Sequence, residues 1–442
     1  MAVQNLSSLL ASWLLSAMLL ATLSFSASAL DPIVTQEPMQ GVPPARESQV
    51  TMQNYREYPM NKWAFRNAGA PLNIVMIPRA GTIFPLPGPS KPALGQRLFT
   101  TAQGQQQSFD DLFESNYADG VVVMKGNRLV YEKYFHGFHA DAQHIWFSMS
   151  KSMASSAFGL LVAKDKVDLN ASPADYIPEL KGSGFERVTI QHVLDHATAI
   201  DFKETYTDFT SDFALKYAPA MNMGYLPGAR DAQPSNTKIL GVHDFLAHYI
   251  KPDLSIEPGS NFDYNSTNAD LLGWLIARIS GQPVEEFLQK NIWAKLGAEH
   301  DAYIAVDRAF MPVMTGGVNT TLRDAARFGM MIRDRGRFNG QQVIPKKWVD
   351  ASLDITPTLR ANMAKNPNYG EEPWTAYHNM WWILDETIGE YCAVGIHGQI
   401  IYINRKADTV MTWFSSQPVA GAARNLNFRA KLQAARELAR TL

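Results

Sequence analysis

Three short clusters carry the residues most able to do chemistry. Ser148-Met149-Ser150-Lys151 sets a hydroxyl and an amine three residues apart, on one face if Ser148 opens a helix. A serine there has free backbone N–H groups and the positive end of the helix dipole beside it. It becomes a nucleophile only when a base takes its proton, and a lysine pushed toward neutrality by burial can be that base. Tyr264-Asn265-Ser266 precedes an amphipathic segment; a tyrosine near an ammonium ionises more easily and can accept or relay a proton, with Ser266 orienting either group. His397-Gly398-Gln399-Ile400 reads as part of a strand in which glycine permits close approach, and a backbone N–H there could join that of Ser148 in an oxyanion hole.

The first two patterns recur elsewhere: Ser235-Asn236-Thr237-Lys238 has the first spacing, and Tyr377-His378-Asn379 and Tyr402-Ile403-Asn404 have the second. Context separates them. Ser148 follows a strand pair and opens a small-residue helix, whereas Ser235 sits in a Pro/Asn loop. A bonded strand histidine and packing tyrosines are the plainer readings of His397 and of most of the 16 tyrosines. His136, His139 and His144 lack an accompanying carboxylate–histidine spacing and read as a solvated turn rather than a metal site. Asp201, Glu204, Asp208 and Asp212 read as a solvated face, and Arg323-Asp324 as a structural ion pair at a helix start.

The elements that must position these clusters follow from pattern. Gly120 to Phe135 is two β-rich runs around Gly126-Asn127, a hairpin with a two-residue turn. Ser148 to about Ala163 reads as a buried helix, 266–280 as an amphipathic one stopped by Gly281, and about 422–440 as a closing helix. Cys392–Asn404 and Thr409–Ser415 read as strands flanking a polar turn. Strands near both ends with helices between predict one sheet built from distant segments, and a mainly helical lobe over about 165–310. Residues 30–60 read as an extended arm over the body.

The 442 residues are 46% apolar with 29 Gly and 25 Pro, a globular composition that excludes a coiled coil and disorder. A net charge of −2 with no basic stripe argues against nucleic acid. The single cysteine, Cys392, excludes an intrachain disulfide and a Cys-based zinc site. Leu9 to Leu23 followed by Ser26-Ala27-Ser28-Ala29 reads as a secretory signal peptide over 1–29, although no Lys or Arg precedes it. A protein exported to the periplasm or beyond, without a stable membrane anchor, is expected.

Taken together and in this order, the three clusters resemble the penicillin-recognising serine hydrolases, the superfamily of class C β-lactamases and DD-peptidases. Those enzymes use Ser-x-x-Lys, Tyr-x-Asn and Lys-Thr-Gly. Here Ser266 replaces the asparagine and His397-Gly398-Gln399 the last motif. With TIQHVLDHAT at 189–198, GGVNTTLRDAARFG at 316–329 and GIHGQIIYI at 395–403, this is similar to the branch of 6-aminohexanoate-dimer hydrolases and carboxylesterases. The Ser-Gly that often follows the histidine of the 189–198 stretch is Thr198-Ala199 here.

The resemblance implies an α/β (α+β) fold of β-lactamase/DD-peptidase type, an antiparallel sheet flanked by helices plus the helical lobe, over 111–442 with 30–110 as an N-terminal extension. It implies catalysis by Ser148, Lys151 and Tyr264, an oxyanion hole from the N–H groups of Ser148 and Ile400, and a polar surround from Ser266, His397 and Gly398, with no cofactor and no metal. The substrate would be a small ester or linear amide. β-Lactam or DD-peptidase activity ranks lower, because a neutral His397 replaces the lysine that holds the substrate carboxylate. A silent cell-wall- or partner-binding homologue is the reading from another class. Tyr206, Phe209, Tyr225, Trp381 and Trp382 are candidates to line an apolar cleft.

Overall fold

The computed structural model describes residues 37–101, 104–224, 238–370, 373–421 and 426–442, and residues from Pro38 onward form one compact unit. The proposed leader, Tyr225 and Ser235 lie outside the described residues. In chain order the elements that matter are β1 (Ile74–Ile77), β2 (Ala118–Lys125), β3 (Arg128–Tyr134), β4 (Gln143–Ile145) and α1 (Met149–Val162). Then follow α2 (Thr267–Ser280), β5 (Ala302–Ala305), β6 (Val318–Thr321), α3 (Leu322–Arg333) and β7 (Ala376–His378). The chain ends with β8 (Trp381–Asp385), β9 (Glu390–Gly395), β10 (Gln399–Asn404), β11 (Thr409–Ser415) and α4 (Leu426–Thr441).

The main sheet is antiparallel in the order β7-β8-β9-β10-β11-β2-β3. The C-terminal meander is thus extended by the early hairpin, with Val410 opposite Met124 and Thr412 opposite Val122. Val121 to Met124 form an uninterrupted buried apolar run, the signature of a strand covered on both faces. Gly329 of α3 lies on Ile401 and Val410, while Trp413, on the opposite face by the two-residue alternation, meets Phe113 of the helix Phe109–Ser115. Mixed helices and antiparallel sheets give the α/β (α+β) architecture that the sequence predicts.

α1 is buried almost all round, which suits its run of Ser, Ala and Gly: it lies between α2 and strands β9 and β10, where larger side chains would not fit. At Gly159 an added Cβ would sit 2.3 Å from the Trp348 ring. α2 ends on Gly281 in the left-handed region (φ 69°), the usual C-terminal stop.

Two features depart from the sequence reading. The segment expected as an arm is built into the body: β1 pairs with β5 in a second sheet, β1-β5-β6-β4, and Tyr55 and Phe65 are fully buried. The expected strand 392–404 is broken, because Ile396–Gly398 form a tight turn with His397 (φ 61°) and Gly398 (φ 97°) left-handed. Among the described residues no helix is long and apolar enough to cross a membrane.

Candidate active site

Ser148 caps α1 with helical angles, yet its hydroxyl does not bond the helix N-terminus. It faces Lys151 instead, with Nζ 2.8 Å from Ser148 Oγ. Phe147, immediately before it, is held left-handed (φ 47°), a strain of the sort that persists only when packing imposes it. Lys151 is buried and also donates to the Thr315 carbonyl at 3.0 Å. Burial pushes its ammonium down to about 8, although Glu204 and Asp270 oppose the shift.

Asp270 lies one turn into α2 from Ser266 and is buried. It accepts from the Thr315 N–H (2.8 Å), the Thr315 hydroxyl (2.8 Å) and the Tyr217 hydroxyl (2.6 Å). Desolvation nevertheless raises its carboxyl to about 6. Lys151 is thus fixed through Thr315 to a buried acid that itself sits near neutrality.

Tyr264 stacks on Trp382 and lies under the Lys151 ammonium, 5.2 Å from Nζ to the ring centroid, and it lines the cleft together with Ser148. Burial, then the neighbouring Tyr377 and Glu204, hold the phenol well above its ordinary range. The phenol therefore stays protonated in the resting site, against the expectation that the nearby lysine would ease its ionisation. Glu204 is a second correction. Far from a solvated face, it lines the cleft and accepts from the Ser266 N–H (2.6 Å), the Ser266 hydroxyl (3.0 Å) and the Tyr206 hydroxyl. Asp201, Asp208 and Asp212 are exposed.

The oxyanion expectation also changes. Ile400 is fully buried within β10, opposite Val394 on one side and Trp413 on the other, and does not line the cleft. Ile396 does, as the first residue of the turn, so its N–H has no acceptor within the turn itself. Gly395 makes the approach possible: a Cβ there would lie 2.2 Å from the Trp146 carbonyl. The strand break brings the turn to the corner of Ser148, and the left-handed angles that cause it cannot be read from an apolar run.

His397 turns away from the cleft. Its Nδ1 lies 2.7 Å from the Gln417 carbonyl, its ring packs on Phe65 and Phe147, and burial pushes it down to about 4. It is a neutral anchor of the turn rather than part of the polar surround. Gly398 likewise serves the turn, packed on Gln417 and Ser415. His196, which sequence reasoning left without a role, accepts from the Asn265 N–H at 2.9 Å and packs on the Tyr264 ring at 4.8 Å, fixing the tyrosine.

These groups meet in a cleft of about 240 Å3 whose walls include Tyr206, Tyr264, Tyr369, Trp374 and Trp382. Of the expected aromatics, Tyr206 and Trp382 line it; Trp381 is core against Tyr391, and Phe209 lies elsewhere. His136 and His139 are exposed, while His144 is buried against Asp119 at 3.1 Å; among the described residues no cluster of His, Cys, Asp and Glu could hold a metal ion. Arg323 and Asp324 do not pair with each other: Arg323 grips Glu132 at 2.6 Å and Asp324 holds Arg327 at 2.9 Å.

The Beta-lactamase family profile matches residues 109–436. The chain belongs to that family. A 6-aminohexanoate-dimer hydrolase from Paenarthrobacter ureafaciens is 31% identical over 378 residues, covering 85% of this chain and 90% of that protein. A solved structure from Bacillus anthracis, described as a candidate 6-aminohexanoate-dimer hydrolase, superposes with a TM-score of 0.77 at 25% identity, covering 90% of this chain and 98% of the other. A family VIII carboxylesterase shares the fold alone, with a TM-score of 0.51 at 16% identity over 74% of this chain and 96% of that one. Within the Beta-lactamase family this chain is a hydrolase by homology, and its site brings Ser148, Lys151 and Tyr264 together at one cleft.

Proposed function

We propose that the protein hydrolyses a carboxylic ester or small linear amide through an acyl-enzyme on Ser148. The observation that carries this is the buried Lys151 amine 2.8 Å from the Ser148 hydroxyl at the wall of an aromatic cleft. Near neutral pH a working fraction of Lys151 is the free amine, because its ammonium is pushed down to about 8. That amine keeps one N–H on the Thr315 carbonyl and turns its lone pair to the serine proton. Ser148 Oγ attacks the carbonyl carbon, and the oxyanion is held by the N–H groups of Ser148 and Ile396. The neutral Tyr264 hydroxyl then gives its proton to the leaving oxygen or nitrogen and is reprotonated from Lys151. Water, deprotonated by the same pair, releases the acid from Ser148.

The name of the 31%-identical relative, a 6-aminohexanoate-dimer hydrolase, supports the amide class. A β-lactamase activity ranks below ester or linear amide hydrolysis, because the neutral, buried His397 supplies no charge where the family's lysine meets the β-lactam carboxylate. The test is turnover of p-nitrophenyl esters from C2 to C8 by wild type and Ser148→Ala, with fluorophosphonate labelling of both. Hydrolysis and labelling that vanish together in Ser148→Ala support the reading. Their absence in wild type would favour a silent binding homologue, and activity surviving in Ser148→Ala would move attention to Ser235.

A further inference from the structure

Arg56 belongs to the N-terminal segment, outside the matched family region, and only 5% of its surface is exposed. Buried guanidinium groups are ordinarily paired with carboxylates. Arg327 has Asp324 and Glu299, Arg333 has Asp334 and Asp408, and Arg66 has Asp119. Arg56 has no such partner among the described residues. Its Nε donates to the Tyr55 hydroxyl at 2.8 Å, and the guanidinium lies over the rings of Tyr55 and Phe147. Tyr55 is itself fixed by donating to the Met223 carbonyl at 2.6 Å. The cation is thus held by aromatic rings and a hydroxyl, with its terminal N–H groups unspent on any acid among the described residues.

It also borders the reaction centre. Arg56 lines a small recess of about 20 Å3 together with Ser148, Tyr206, Ser266, Thr315 and Ile396. This recess and the aromatic cleft share Ser148, Tyr206 and Ile396, so they flank the same serine. Glu204, the acid on the aromatic cleft wall, is occupied by Ser266 and Tyr206.

We propose that Arg56 binds a substrate carboxylate. The substrate would be a linear ester or amide with an apolar arm in the aromatic cleft and, across the scissile bond, an arm ending in a carboxylate against Arg56. A planar fork of N–H donors matches a carboxylate, which can accept two parallel bonds from it. The extension, rather than the third motif, then supplies the positive charge that His397 lacks. This rests on the Ser148 hydrolase reading for the word substrate, though not for the binding site.

The test is a tryptophan-fluorescence titration, reporting from Trp374 and Trp382, of the full chain with hexanoate and its neutral isostere hexanamide. Wild type should prefer hexanoate by about tenfold or more, the scale of a charge-assisted bond. Arg56→Gln should bring the two ligands within about twofold by weakening hexanoate far more than hexanamide, and Arg56→Lys should keep part of the preference. No preference in wild type, a preference that survives Arg56→Gln, or equal loss of both ligands would overturn the proposal; the last would make Arg56 merely structural. In parallel, p-nitrophenyl hemiglutarate and valerate report whether the preference reaches kcat/KM. Missing fluorophosphonate labelling would sink the hydrolase reading alone, since the titration needs no turnover.

Discussion

Lys151 sits between two opposing influences. Desolvation favours the neutral amine, while Glu204 and Asp270 favour the ammonium, and the balance leaves it near 8. Only the free amine can take the Ser148 proton, so kcat/KM for a neutral ester should rise about tenfold per pH unit below 8 and level off above it. A profile falling through that range would exclude Lys151 as the base. Asp270→Asn removes an anion that holds the ammonium up, so the rising limb should move to lower pH, as a pH–rate series will show. Tyr264 acts at the other end of the bond. Tyr264→Phe should slow an anilide by about 10²-fold or more, but a p-nitrophenyl ester far less, because nitrophenolate leaves without a proton. Equal losses on both substrates would assign Tyr264 to orienting Ser148 instead.

At the scale of elements, the site depends on how closely β9 and its turn approach the start of α1. Gly395 is the contact, and an added Cβ would meet the Trp146 carbonyl, which as backbone cannot swing aside. Gly395→Ala should therefore displace Ile396 and lower kcat by about 10²–10³, as the loss of one oxyanion donor does. Its stability cost should stay within about 1–3 kcal/mol, the range for overpacking. Kinetics beside thermal unfolding would check this, and a large loss of stability with kcat unchanged would contradict it. The helices were legible from the sequence because their signals are local: small residues over 149–162, an apolar stripe ended by Gly281 in α2. The break at 396–398 was not, since β-rich runs flank it on both sides and a glycine there reads equally as a site of close approach within one strand; the backbone angles of His397 and Gly398 mark the turn.

Across the whole molecule, the family region and the preceding segment fold as one body. β1 covers the edge of β5, and Asn61 donates to the carbonyls of Ser416 and Gln417 beside β11. A chain beginning at residue 109 would expose the β5 edge and strip the partners of Phe65, which packs on Phe147 and His397. We expect that chain to be insoluble or unfolded by circular dichroism, whereas one beginning at residue 30 should fold; a stable 109–442 protein would return the segment to the status of an arm. The sequence by itself determined the serine–lysine pair, the tyrosine, the hairpin, the two long helices and the kinship, because each is written within a few neighbouring residues. The tertiary structure decided that Glu204 faces the cleft, that Ile396 rather than Ile400 flanks Ser148, that Tyr264 stays protonated and that Arg56 reaches the site. Those outcomes depend on which distant loops meet and how much water they exclude, and neither spacing nor periodicity along the chain encodes that.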